Sequence, residues 1–217
     1  IDSALAILCF VFSLHCGVPA VQAGSAQPHP DRSLVEETGE PAPPITPSLD
    51  LRLRYEFREV DPFDASQSLT ARARFGLLTR EVSGFSAFGE LETTRALVDD
   101  YRSNPADDST APHVDGNTVI ADPNNFELNQ AWLQFREGGF STRVGRQRII
   151  LDNAAFVAHV GWRQNEQTYD AINFKFESDE FDISYTYSNR ALRIFGQDGN
   201  DAPPGAPLRD FEGIFTF

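Results

Sequence analysis

The chain has 217 residues, enough for one sizeable domain, and 32 Asp and Glu against 18 Lys and Arg leave a formal net charge of −14. So acidic a chain is a poor partner for nucleic acid. There is no Met, and Cys9 and Cys16 are the only cysteines, so no disulfide framework is expected beyond them.

The chain opens on ALAILCFVFSL, an apolar run with the length of a signal-peptide core, and Val21-Gln22-Ala23 follows the small-x-small cleavage pattern. A signal peptide is therefore expected over residues 1–23, cut near Ala23–Gly24. Its basic n-region and an initiating Met are missing, which predicts a truncated start. The run is shorter than the roughly 20 apolar residues a spanning helix needs. His15 does not suit the small residue expected before an acylated lipoprotein cysteine at position 16. Residues 24–49, rich in Pro, Ser and Glu, read as a flexible Pro-rich leader. No later window holds 18 apolar residues, but transmembrane strands alternate and give only a weak hydropathy signal.

From residue 50 onward the chain alternates. In LRLRYEFR (51–58), Leu51, Leu53, Tyr55 and Phe57 share one face, and Arg52, Arg54, Glu56 and Arg58 share the other. LTARARFGL (69–77) sets Leu69, Ala71, Ala73, Phe75 and Leu77 against Thr70, Arg72, Arg74 and Gly76. FSAFGELET (85–93) sets Phe85, Ala87, Gly89 and Leu91 against Ser86, Phe88, Glu90 and Glu92. NQAWLQFR (129–136) sets Ala131, Leu133 and Phe135 against Gln130, Trp132, Gln134 and Arg136. FSTRVGRQR (140–148), TYDAINFKFE (168–177), FDISYTYS (181–188) and FEGIFTF (211–217) bring the expected strands to eight. Each is about 8–10 residues, a length that suits a tilted strand across a bilayer.

The expected connections alternate long and short. Residues 59–68, 94–127, 149–167 and 189–210 are long and polar; 79–84, 137–139 and 178–180 are tight hairpin turns. An outer-membrane barrel has this asymmetry, with short periplasmic turns and long outer loops. A soluble antiparallel sheet with one buried face also alternates. The aromatic-rich apolar faces, the export signal and the lack of cysteine after it favour the barrel. The fold class is thus an all-β, antiparallel transmembrane β-barrel, about eight strands of a larger one, in the outer membrane of a Gram-negative cell. Such a barrel is surrounded by outer-membrane lipid and meets the barrel-assembly machinery during insertion.

Charge is segregated. Lys175 is the only lysine, and acids crowd the loops at Asp99, Asp100, Asp107, Asp108, Asp115 and Asp122. Arginines crowd the strands. Arg52, Arg54, Arg58, Arg72, Arg74, Arg136 and Arg143, with Glu90 and Glu92, are expected to line the lumen and the substrate path. Guanidinium groups there favour anions and bind carboxylates in bidentate fashion. The alternative is that Arg and Glu form cross-strand salt bridges bracing the wall. Catalytic constellations are scarce: His15, His29, His113 and His159 form no HExxH, and neither GxSxG nor CxxC occurs. The Asp-rich loop lacks an EF-hand register. No enzyme, cofactor or metal is expected.

The stretches NQAWLQF and VGRQRIILDNAAFVAHVGWRQNEQTYDAINFKF, over a region of about 50–217, resemble the alginate-export family of outer-membrane β-barrel porins. The features are Gly145-Arg146-Gln147 at a strand end, Trp162 with Gln164, and Thr168-Tyr169-Asp170 leading into the next strand. The resemblance implies a pore for anionic polyuronates such as alginate, lined by arginine and acidic residues. Members have more strands, so the chain reads as the N-terminal part of one. A non-conducting structural barrel and a secreted carbohydrate-binding β-module stay open as alternatives. Strand parity points Arg146 and Arg148 outward, unless Gly145 hosts a bulge that flips the register or both residues sit at the polar rim.

Overall fold

The computed structural model describes residues 6–16, 43–105, 108–150, 157–196 and 213–216. The expected cleavage point, the leader as far as residue 42, Asp107, Phe211 and Phe217 lie outside them. Nine strands, β1 (Ala6–Cys16), β2 (Ile45–Glu59), β3 (Ser66–Thr79), β4 (Phe85–Asp100), β5 (Asn125–Glu137), β6 (Phe140–Gln147), β7 (Thr168–Glu177), β8 (Asp182–Leu192) and β9 (Gly213–Thr216), form one sheet in chain order. Every neighbouring pair is antiparallel. Among the described residues β9 does not close onto β1. Among the described residues no helix is long and apolar enough to cross a membrane.

All eight expected strands are present, and most are longer than the apolar alternation indicates. The connection expected over 59–68 shrinks to residues 60–65, because Arg58 already pairs with Ser66. Ser66, Ser68 and Thr70 continue β3 as buried hydroxyl residues on its polar face, which hydropathy does not register. The leader likewise ends earlier than position 49: β2 starts at Ile45 and carries Pro47 opposite Leu77. Among the described residues β1 reaches only as far as Leu49, short of Pro47; a strand proline is tolerated where no ladder bond is required of its nitrogen. The apolar run read as a signal core is β1, paired with β2.

The sheet is inside-out relative to a soluble protein. Leu49, Leu51, Leu53, Phe75, Leu77, Leu91, Leu133, Val144, Ile172 and Phe174 are exposed on one face. Arg54, Glu56, Arg72, Arg74, Glu90, Glu92, Gln130 and Gln134 are buried on the other. A row of exposed apolar side chains along five or more strands, backed by a polar face, is the pattern of a transmembrane barrel wall. The opposite face is buried because the described parts of the connections 101–124 and 148–167 fold back over it. They leave from the same end of the sheet, while the short turns 80–84, 138–139 and 178–181 occupy the other.

Three register shifts interrupt the ladder, at Leu69/Thr70 in the β3–β4 pair, Glu90/Leu91 in β4–β5 and Asp170/Ala171 in β7–β8. The second matters most. It doubles Asn129 and Gln130 onto the polar face, so that Asn125 and Glu127 are buried there and Phe126 and Leu128 are exposed.

Leu133, on the exposed face of β5, tests the lipid assignment. Leu133→Arg in the full-length protein should lower the folding free energy in liposomes by about 2–4 kcal/mol if the site lies near mid-bilayer. A loss below about 0.5 kcal/mol, the range for ordinary surface substitutions, would place that face in water.

Candidate functional site

The polar face of β2 and β3 holds its arginines two residues apart, so Arg52, Arg54, Arg72 and Arg74 form one patch. Four guanidinium groups side by side repel each other, and burial removes the water that screens them. The folded-back loops supply what water would have supplied. Arg52 donates to the carbonyls of Gly161, Trp162 and Arg163, each at 2.9 Å. Val160, just before them, has φ 54°, a left-handed conformation that is costly for a β-branched residue. The three carbonyls converging on Arg52 offset that strain.

Arg54 is paired with Asp122 and, at 2.5 Å, with Glu56. Arg163 reaches down from the loop to Glu56 at 3.0 Å. Arg72 is paired with Asp50 and donates to the Gln164 carbonyl at 3.2 Å. Arg74 is paired with Glu92, its directly opposed partner on β4, and with Glu166 at 3.3 Å. Arg58 donates to the Val119 carbonyl at 2.7 Å. Gln164 is wholly buried: its backbone N–H donates to Asp122 at 3.0 Å, and its amide donates to the Thr70 carbonyl and hydroxyl at 2.9 Å. Tyr101, also wholly buried, donates to the Asp122 carbonyl at 2.6 Å. The expected lumen arginines of β2 and β3 therefore grip loops.

Arg136 and Arg143 are placed differently. They lie on the polar face near the short turns. Arg143 donates to Gln134 at 2.5 and 3.0 Å and stacks over the Trp132 ring at 4.2 Å. Arg136 is exposed and, through Ser141, aligns across the strands with Lys175.

The Gly145 question has a definite outcome. β6 runs through it without a register shift, Trp132 opposing Gly145 and Ala131 opposing Arg146. Gly145 is required for another reason: its φ is 119°, and a Cβ there would lie 2.2 Å from the Ala131 carbonyl oxygen. Arg146 stays on the parity of the exposed face, near the strand end, in a bidentate pair with Asp170 at 2.9 and 3.2 Å. Arg148 lies beyond the end of β6, is no longer bound by its parity, and turns inward to Glu90 at 2.9 Å and to Glu166. Gln147 is buried and donates to the Ala171 carbonyl at 3.1 Å. Trp162 is exposed, and Arg163 stacks on its ring at 4.3 Å.

A model of the alginate-export family matches residues 44–189, about two thirds of the chain. The chain belongs to the alginate-export family. Alginate-export proteins are polysaccharide export channels of Gram-negative outer membranes, not enzymes, and their fold is a β-barrel, of which this sheet is an unclosed part. No curated protein and no solved structure matches the chain.

Sequence reasoning missed Asp50, Asp122, Arg163 and Glu166 as parts of this network. Asp122 and Glu166 lie in loops without periodicity, and only the WRQNE run beside Trp162 and Gln164 hinted at the second. Burial raises the Glu166 carboxyl, but Arg148, Arg74 and the Asn129 amide outweigh it and hold the group at about 2. A carboxylate held below its ordinary 4.5 stabilises the fold at pH above 4.5, and that stabilisation drains away as pH falls from 4.5 toward 2. In denaturation of the full-length protein, the gap between wild type and Glu166→Gln should be widest above pH 5 and close toward pH 2. A gap unchanged over that range would contradict the pairing. Gly145→Ala should cost about 1–3 kcal/mol, read as a lowered denaturation midpoint; an unchanged midpoint would mean the strand can relax around the methyl group.

Proposed function

We propose that this chain forms part of the wall of an outer-membrane channel that passes an anionic polysaccharide, alginate or its fragments, by diffusion. Its lumen has two chemically distinct zones. In the zone near the long loops, guanidinium groups on β2 and β3 are used up in holding the loops 101–124 and 148–167 to the wall, which narrows the path. The zone near the short turns carries Arg136, Arg143 and Lys175 on one inward patch. That patch is the observation that carries the reading.

Arg143 donates to the neutral Gln134 amide and stacks over the Trp132 ring, and Arg136 is exposed. Lys175 beside them pairs with Glu177 at 2.5 Å. A guanidinium beside a ring and an amide keeps its capacity for a sugar carboxylate, and the flat ring suits the apolar face of a pyranose. Lipid around the exposed face, and the barrel-assembly machinery during insertion, complete the partners this reading requires.

The test is conductance of the full-length protein in planar bilayers across a KCl gradient. Arg136→Gln with Arg143→Gln should move the reversal potential toward cation preference and weaken block by oligouronates. The shift should fade between 0.1 and 1 M salt, as the Debye length falls from about 10 to about 3 Å. Unchanged selectivity and block in the double variant would remove the filter, and a protein that inserts without conducting would be a structural barrel instead.

A further inference from the structure

The buried charges do not balance uniformly across the sheet. Around β4 and β5, the four carboxylates Glu90, Glu92, Glu127 and Glu166 are all buried. Two guanidinium groups serve them: Arg148 holds Glu90 and Glu166, and Arg74 holds Glu92 and Glu166. Among the described residues Glu127 has no cationic partner within ion-pair distance. The cluster is two positive charges short, and uncompensated buried carboxylates cost several kcal/mol each.

The deficit has a location. Glu92 opposes Glu127 directly across the β4–β5 ladder, and Thr94 opposes Asn125 two residues on, so the four side chains form a square on the polar face. Like charges directly opposed on neighbouring strands destabilise a sheet. The square is nevertheless closed off from solvent, with Glu92 at 1% exposure, Glu127 at 4% and Thr94 at 0%. Among the described residues Glu92 Oε1, Glu127 Oε2 and Thr94 Oγ1 each lack a hydrogen-bond partner. Three orphaned oxygens on one square, in a cluster short of two positive charges, describe a ligand set.

We propose that this square binds one divalent cation of the hard, oxygen-seeking class, and that the cation is calcium. Glu92 Oε1, Glu127 Oε2 and Thr94 Oγ1 are its protein ligands. Carboxylate and hydroxyl oxygens without nitrogen or sulfur exclude the softer metals. A pleated wall offers its ligands from one side, which suits the variable coordination of Ca²⁺ better than the strict octahedron of Mg²⁺. A shared proton would neutralise only one of the two missing charges. Bound there, the ion ties β4 to β5 at the level where Glu166 joins the loop to the wall, so occupancy bears on how firmly that loop is held.

The experiment is calorimetric titration of CaCl2 into the EDTA-treated full-length protein in detergent, with thermal unfolding in parallel. Wild type should bind one Ca²⁺ per chain with a dissociation constant in or below the range of roughly 10⁻⁴–10⁻³ M seen for extracellular sites. Its unfolding midpoint should rise with CaCl2, less with MgCl2, and not with NaCl of equal ionic strength. Glu127→Gln should weaken binding by roughly tenfold or more, about 1.4 kcal/mol, while the metal-free variant is at least as stable as metal-free wild type. If Glu127→Gln does not fold, Thr94→Val serves, with weaker calcium binding as the expected result. Absence of saturable binding up to about 10 mM, well above that range, would overturn the proposal. So would full affinity in the variant that folds, or a wild type that ignores calcium and gains stability on acidification, which would assign the square a proton.

Discussion

A buried guanidinium group must find acceptors, and this requirement organises the molecule. The polar face of β2 and β3 sets Arg52, Arg54, Arg72 and Arg74 side by side, where a bare wall would leave them repelling one another. Their acceptors lie on two loops far away in sequence: carbonyls at 161–164 and the carboxylates Asp122 and Glu166. The loops also bury apolar side chains, Tyr101 and Ile120 wholly and Ile149 against Tyr169, Ala171 and Ala191. Taking one partner from a buried pair of this kind costs about 3–5 kcal/mol, because the other charge is stranded. Wall and loops therefore depend on each other for polar satisfaction.

That mutual dependence divides the polar face by chemistry. Arginines near the long loops are committed to internal pairs. Arg136 and Arg143, near the short turns, have no described loop above them, and Trp132 and Phe88 lie beside them with ring centroids 5.5 Å apart. Gly76 makes room for this aromatic layer, since a Cβ there would sit 2.9 Å from the Phe88 ring.

The strands and their two faces were legible in the sequence because alternation is a local property. A residue's side of the sheet follows from its parity, and Leu51 against Arg52 or Phe174 against Asn173 needs no distant information. The asymmetry of long and short connections was equally legible, and so was the family, from short motifs along the chain. Parity reasoning broke down where local geometry changed. The irregularity at Asn129 moved Glu127 onto the polar face, and the end of β6 at Gln147 released Arg148 to turn inward.

The sequence by itself determined the inside-out sheet, its antiparallel order and the segregation of arginine into strands and acid into loops. Only the tertiary structure decided which charges meet. Arg54 finds Asp122 across 68 residues and Arg163 finds Glu56 across 107, and no periodicity encodes such a pairing. Loop conformation is set by the acceptors the wall demands, and those demands exist only once the strands have been brought side by side.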